Sequence, residues 1–204
     1  MPEQTRSDSR ALILHVALQL FSARGYDSTS IDDIRQAAGF KSKASLYTHF
    51  KSKEEVAIAL IQQIMAALNQ TMFRAYHEAK PEPLHQLTAI GRAFISWGLL
   101  HPQEHAFCFV RVQQDILLQG KASFYGADMQ TPGRTLTRLI TQLRQTQPVR
   151  AIADAALLSM FVGLISRAVI EQEAFGDLTH EQKVQQILEV CFAILFAQPV
   201  PIPD

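Results

Sequence analysis

Between residues 34 and 53 the chain carries five basic residues, Arg35, Lys41, Lys43, Lys51 and Lys53, and no acidic one. Interleaved with them are the hydroxyls of Ser42, Ser45, Tyr47 and Thr48 and the imidazole of His49. Cations and hydroxyls projecting from one short stretch suit DNA: the cations neutralise phosphates, and the hydroxyls reach phosphate oxygens or base edges. The candidate DNA contacts are therefore Lys41, Ser42, Lys43, Ser45, Tyr47, Thr48 and His49. Thr29 and Ser30 join them as phosphate contacts, although helix capping alone explains both. Lys53 is added because it opens a helix, where charge and free backbone amides both favour an anion.

Other chemistry is thinner. His101, His105 and Cys108 have a spacing that shares one face of a continuous helix, which raises metal sensing. Pro102 breaks that continuity and no fourth ligand stands near, so neither a metal nor any other cofactor is expected. The chain has no Gly-rich phosphate loop and no nucleophile motif, which argues against an enzyme.

The basic stretch must be held by helices. Ser7 or Ser9 is placed to cap a first helix running to Arg24, with Leu14, Ala17, Leu18 and Phe21 on one face and Gly25 closing it. Thr29 or Ser30 caps a second helix, and Gly39 ends it. A third helix spans residues 42–49, with Leu46 and Phe50 turned inward. Ser52 and Glu55 have capping-box spacing and start a fourth helix over residues 53–80, about 40 Å long at 1.5 Å per residue. That exceeds what a small reader needs, so this helix should join two domains without a flexible linker.

Prolines and glycines then punctuate the chain at helical intervals. A fifth helix is expected over 83–100, a sixth over 102–120, a seventh over 131–147, an eighth over 150–175 and a ninth capped by Thr179 and ended by Pro199. No alternating strand pattern survives. The fold class is all-α: a three-helix, helix-turn-helix DNA-binding domain over 1–52 and a helical ligand-binding and dimerisation domain over 53–204, about nine helices in all.

The composition fits. With 48% hydrophobic and 19% charged residues the chain is globular rather than disordered. Its formal net charge is zero, but Lys and Arg number eight against five acidic residues in 1–53, and eleven against fourteen in 54–204. The positive charge is therefore local, and it sits where phosphate would be met. Two unpaired cysteines suggest a reducing cytoplasm. No signal peptide is visible, and the apolar stretch at 155–165 is too short to span a bilayer.

The N-terminal third resembles the TetR (tetracycline-repressor-like) family of bacterial transcription regulators. The resemblance rests on Ala17, Leu18, Leu20, Phe21 and Tyr26; on Thr29, Ser30, Ile31 and Ile34; on Ala38-Gly39; and on Leu46-Tyr47, His49-Phe50 and Ser52-Lys53-Glu54. It covers residues 9–60. The segment 40–45 is one residue longer than the family's common form. The resemblance implies a homodimer, each subunit presenting a helix-turn-helix to a palindromic operator. It implies a dimer contact made by the last two helices, and a repressor released by a small molecule bound among the middle helices. The alternative is a DNA-binding dimer without small-molecule input, governed by a protein partner or by a metal or thiol site.

Two further groups follow from residue types. Met72, Tyr76, Phe94, Trp97, Phe107, Phe109 and Arg111 suit an aromatic ligand pocket with one charge, although each taken singly suits a plain core better. Ala155, Ser159 and Gly163 lie at i, i+4 and i+8 and form a smooth ridge where another helix can approach. With Leu188, Phe192 and Leu195 of the last helix, they are the expected dimer interface.

Overall fold

The computed structural model describes residues 3–110 and 130–203. Nine α-helices occur among them: α1 (Glu3–Arg24), α2 (Ile31–Ala37), α3 (Lys43–Tyr47), α4 (Lys53–Glu78), α5 (Pro83–Leu100), α6 (Pro102–His105), α7 (Gln130–Leu143), α8 (Asp154–Ile170) and α9 (His180–Leu195). A widened, π-type turn at Ala106–Val110 follows α6, and a short 3-10 turn at Gln172–Phe175 follows α8. The described residues contain no strand, only one isolated antiparallel bridge between Val149 and Phe196.

The chain divides into two compact units: Met1–Ile64 with Ala106–Tyr125, and Met65–His105 with Gly126–Asp204. The division falls within α4, which gives its first part to one unit and the remainder to the other. By length and composition α4 is apolar enough to cross a membrane, but half of that apolar window is buried, as in the core helix of a globular unit.

In the N-terminal unit Ile13, Leu14, Ala17 and Phe21 of α1 are buried with Ile34 of α2, Leu46 and Phe50 beside α3, and Val56 and Leu60 of α4. Phe107 stacks on Phe21, centroids 5.4 Å apart. The helix begins at Glu3, upstream of the expected Ser7 or Ser9.

The C-terminal unit is built around α5. Leu87, Ile90, Ile95, Trp97 and Leu99 are buried on it, and α7, α8 and α9 pack against it. Two glycines allow close approach. A Cβ on Gly91 would come 3.1 Å from the Leu188 side chain, and one on Gly98 would come 2.9 Å from both His105 and Val169. α7 stops at Leu143, short of Pro148, because Arg144 turns back on the following loop. Its guanidinium donates to the carbonyls of Arg150 at 2.7 Å and Ile152 at 2.5 Å, and it pairs with Asp154 at 2.8 Å. α8 accordingly starts at Asp154, not at residue 150. α9 opens with the expected capping box of Thr179 and Gln182. It ends at Leu195, where the chain turns to bond Pro148 and Arg150 through Ala197 and Leu195.

Candidate nucleic-acid interface

α2 and α3 form the helix-turn-helix, and its local geometry follows from a few polar side chains. Ser30, not Thr29, caps α2: its hydroxyl accepts from the Asp33 amide at 3.1 Å, while the Asp33 carboxylate accepts from the Ser30 amide at 2.7 Å. The Ser30 hydroxyl and amide bonds hold the Asp33 carboxyl below its ordinary range. α2 closes through Gly39, whose φ of 75° is the left-handed conformation that glycine tolerates and other residues resist.

Arg35 braces the turn. Its Nε donates to Asp32 at 2.7 Å, and its Nη1 donates to the Phe40 carbonyl at 2.6 Å. Asp32 also accepts from Gln36 at 2.9 Å, and the bond from Arg35 draws its carboxyl below the usual range. The positive charge of Arg35 is thereby tied within the protein and is not offered to a ligand.

Ser42 caps α3, accepting from the Ser45 amide at 3.2 Å. Ser45 donates its hydroxyl to the Ser42 carbonyl at 2.7 Å, and Thr48 donates to the Ser45 carbonyl at 2.8 Å. Leu46 and Phe50 point inward and are fully buried. Lys41, Ser42, Lys43, Tyr47 and Thr48 face solvent; Ser45 and His49 are half-buried. The Lys43 side chain is 71% exposed and its Nζ is 4.0 Å from Asp32, a separation at which a solvated pair contributes little. Tyr47 is 45% exposed, although a large aromatic ring normally finds cover. The His49 ring meets Phe40 edge-on at 5.8 Å. The result is a short, capped helix that, with the residues flanking it, exposes Lys41, Lys43 and several hydroxyls.

Two expected contacts are used elsewhere. Thr29 is 1% exposed, and its hydroxyl donates to the Gly25 carbonyl at 2.8 Å. It fastens the end of α1 and has no route to a phosphate. Lys53 lies with its ammonium 4.0 Å from the Tyr26 ring centroid and donates to the Tyr26 carbonyl at 2.8 Å. That charge pins the loop after α1, and one of the ammonium's three donors is in use there. Ser52 does cap α4, accepting from the Glu55 amide at 3.1 Å, but Glu55 reaches one residue further back, to the Lys51 amide at 2.6 Å.

Arg10 is a residue that sequence reading missed. Its Nη1 donates to the His49 carbonyl at 3.2 Å, and its guanidinium lies 4.1 Å above the Phe50 ring. A cation at the carbonyl end of α3 fixes that helix through its unsatisfied acceptors and dipole. Arg10 and His49 are 39 residues apart, so no local pattern announces the pair.

The other expected groups are only partly assembled. Phe107 and Phe109 are buried in the widened turn of the N-terminal unit, and Arg111 lies outside the described residues. In the C-terminal unit Met72 and Trp97 are buried, and the Tyr76 hydroxyl accepts from Arg138 at 3.0 Å. Phe94 and Trp97 gather about His105, at 5.6 and 6.1 Å between ring centroids. His105 is fully buried, bonds Ser166 at 2.9 Å, and has its pKa lowered to about 4 by burial. The expected pocket set is thus split, and Phe94 and Trp97 serve as packing around one neutral histidine. Among the described residues no three His, Cys, Asp or Glu side chains gather as a metal set. Both cysteines are buried, and burial pushes the Cys191 thiol up to about 12, which disfavours the reactive thiolate.

On α8, Ala155 and Ser159 are exposed, and a Cβ on Gly163 would meet nothing within 4 Å. On α9 the expectation is corrected: Leu188, Phe192 and Leu195 are 2%, 7% and 1% exposed and belong to the unit's own core. The uncovered apolar residues nearby in sequence are Met160, Ile170 and Val190, each about half exposed.

Residues 13–60 match the family model described as bacterial regulatory proteins, tetR family. The biofilm operon icaADBC HTH-type negative transcriptional regulator IcaR of Staphylococcus epidermidis is 50% identical over 44 residues, a match spanning 22% of this chain and 23% of that protein. Across the whole fold the chain is similar to a tetR family transcription regulator from Shewanella sp. PV-4, with a TM-score of 0.72, 16% identity and coverage of 93% and 99% of the two chains. It is also similar to the ketosteroid transcriptional regulator KstR2 of Mycobacterium tuberculosis, with a TM-score of 0.71, 23% identity and coverage of 93% and 95%.

Proposed function

We propose that the chain, whose residues 13–60 match the tetR family model, is a sequence-specific, DNA-binding transcriptional regulator, acting as a homodimeric repressor in the cytoplasm. One observation carries the reading. α3 and the residues flanking it turn Lys41, Ser42, Lys43, Tyr47 and Thr48 to solvent while Ser42, Arg35 and Arg10 hold its two ends and its mounting turn. A helix fixed in this way can lie in a major groove with lysines on phosphates and hydroxyls on phosphates or base edges. Ser30, exposed at the start of α2, and the half-buried Ser45 and His49 complete the DNA-facing set. The domain assignment follows: 1–52 reads DNA, and 53–204 dimerises and takes the ligand. This is the chemistry of a regulator rather than of an enzyme.

Release by a small molecule is supported by a partly polar cavity of about 560 Å³ in the C-terminal unit. The ligand would favour one of two spacings of the paired readers and so lower operator affinity. The test is selection of bound fragments from the source genome by the full chain. An inverted repeat shared by the selected fragments is the expected result. Fragments with no common half-site, bound no better than random DNA at 150 mM salt, would overturn the proposal.

A further inference from the structure

We propose that the groove among the end of α4, the middle of α5 and the start of α9 is a binding site for a small monocarboxylate. All of its lining lies in the C-terminal unit. It encloses about 560 Å³, within the span of small-molecule sites. None of the aromatic residues that sequence reading assigned to a pocket lines it.

The bed of the groove is formed by residues with almost no side chain. Ala75 comes from α4 and Ala79 follows its last residue, bonded back to the Ala75 carbonyl at 3.2 Å, while Ala89 and Ala93 come from α5. Each pair is spaced by four, so each occupies one helix face. Two alanine faces on one cavity leave a slot for an apolar body, and Val184 of α9 adds an apolar edge.

The charge in the groove points to the other half of the ligand. Arg92 is half-buried, and its Nη2 donates to the Gln185 side-chain oxygen at 2.6 Å. Among the described residues its partner is thus a neutral amide and not a carboxylate. A half-buried guanidinium with donors to spare is built for a carboxylate, which can accept two parallel bonds from it. Ser96, paired with His180 at 2.8 Å, places a further hydroxyl in the lining. Lys80 supplies a second cation, but Glu78 and Glu181 line the same groove. Two carboxylates beside two cations tolerate one negative charge and oppose a second. A carboxylate on a compact hydrocarbon body therefore fits, and a phosphate does not.

The test is calorimetric titration of the full chain with sodium hexanoate, hexanamide and inorganic phosphate. Hexanoate should bind, and the other two should bind at least about tenfold more weakly, the loss expected for removing a charge-assisted contact. Arg92→Gln should weaken hexanoate by about tenfold or more on the same grounds. Ala89→Leu keeps the guanidinium and fills the slot, so it should abolish binding with helix content unchanged by circular dichroism; it decides the matter if Arg92→Gln fails to fold. No binding of any straight-chain acid from butyrate to octanoate would overturn the proposal. So would phosphate or hexanamide matching hexanoate, or hexanoate binding that survives Ala89→Leu. Operator affinity is no part of this test, so the site stands or falls independently of DNA recognition.

Discussion

Single residues divide the basic stretch into charges that are free and charges that are spent. Lys41 and Lys43 are exposed, whereas Arg35 braces a turn and Lys53 holds Tyr26. Each phosphate neutralised releases counterions and adds about 0.9 to the slope of log affinity against log salt. Lys41→Ala with Lys43→Ala should therefore lower the slope by nearly two for each reader, about 3.6 for the four lysines of a dimer, in filter-binding or fluorescence titrations. Lys53→Met should leave the slope unchanged and lower the melting temperature, because it removes a cation–π contact and a bond to a loop carbonyl. A lower slope in Lys53→Met would return that residue to the interface. Residue type foretold this face well, since Ser42, Lys43, Tyr47 and Thr48 stand outward where the pattern put them. It did not show that the Thr29 hydroxyl and the Arg35 and Lys53 cations bond inward, because a hydroxyl or cation bonded inward is indistinguishable in sequence from one bonded to a ligand. Arg10 was illegible for the opposite reason, its partner being remote along the chain.

At the scale of elements, helix order and most helix starts were legible, because capping serines and threonines, prolines and apolar spacing act locally. The early end of α7 was not, since it depends on Arg144 binding carbonyls beyond the helix. The packing of α9 was also hidden: Leu188, Phe192 and Leu195 are buried within the unit, and apolar spacing does not say which neighbour does the covering. The contact of α5 with α6 and α8 yields two predictions. Gly98→Ala places a methyl 2.9 Å from His105 and Val169, and such overpacking costs roughly 1–3 kcal/mol; chemical denaturation should show the loss, and unchanged stability would mean the helices separate freely. His105 is the second. Its folded pKa is about 4 against 6.5 for an ordinary imidazole. Between those values the unfolded chain binds the proton and the folded chain does not. Stability from this group is thus complete above about pH 6.5 and falls as pH drops toward 4, by about 3 kcal/mol in all. His105→Gln should flatten that part of the pH–stability profile; an unaltered profile would place the titration elsewhere.

For the molecule as a whole, affinity for DNA has to come from more than charge. The formal net charge is zero, and the acidic excess lies outside residues 1–53. One reader with a few exposed lysines binds weakly at physiological salt, and two readers joined in one particle gain by effective concentration. The proposed dimer is therefore a condition of function and not an ornament to it. The ridge on α8 is its candidate surface, with Ala155 and Ser159 exposed and Gly163 facing open space. Met160, Ile170 and Val190 are further exposed apolar residues on α8 and α9. Gly163→Leu separates folding from assembly. Within the protomer a new Cβ at Gly163 meets nothing within 4 Å, and replacing a helical glycine gains up to about 1 kcal/mol of helix propensity. The protomer should therefore stay folded. Against a second copy the added side chain overpacks a close helix contact, at roughly 1–3 kcal/mol for each of the two symmetric sites. Sedimentation velocity should show the dimer shifting to monomer, and operator affinity should fall with it while each protomer keeps its helix content. An intact dimer in Gly163→Leu would move the interface off this ridge, and full operator affinity in a monomeric variant would remove dimerisation from the account of recognition.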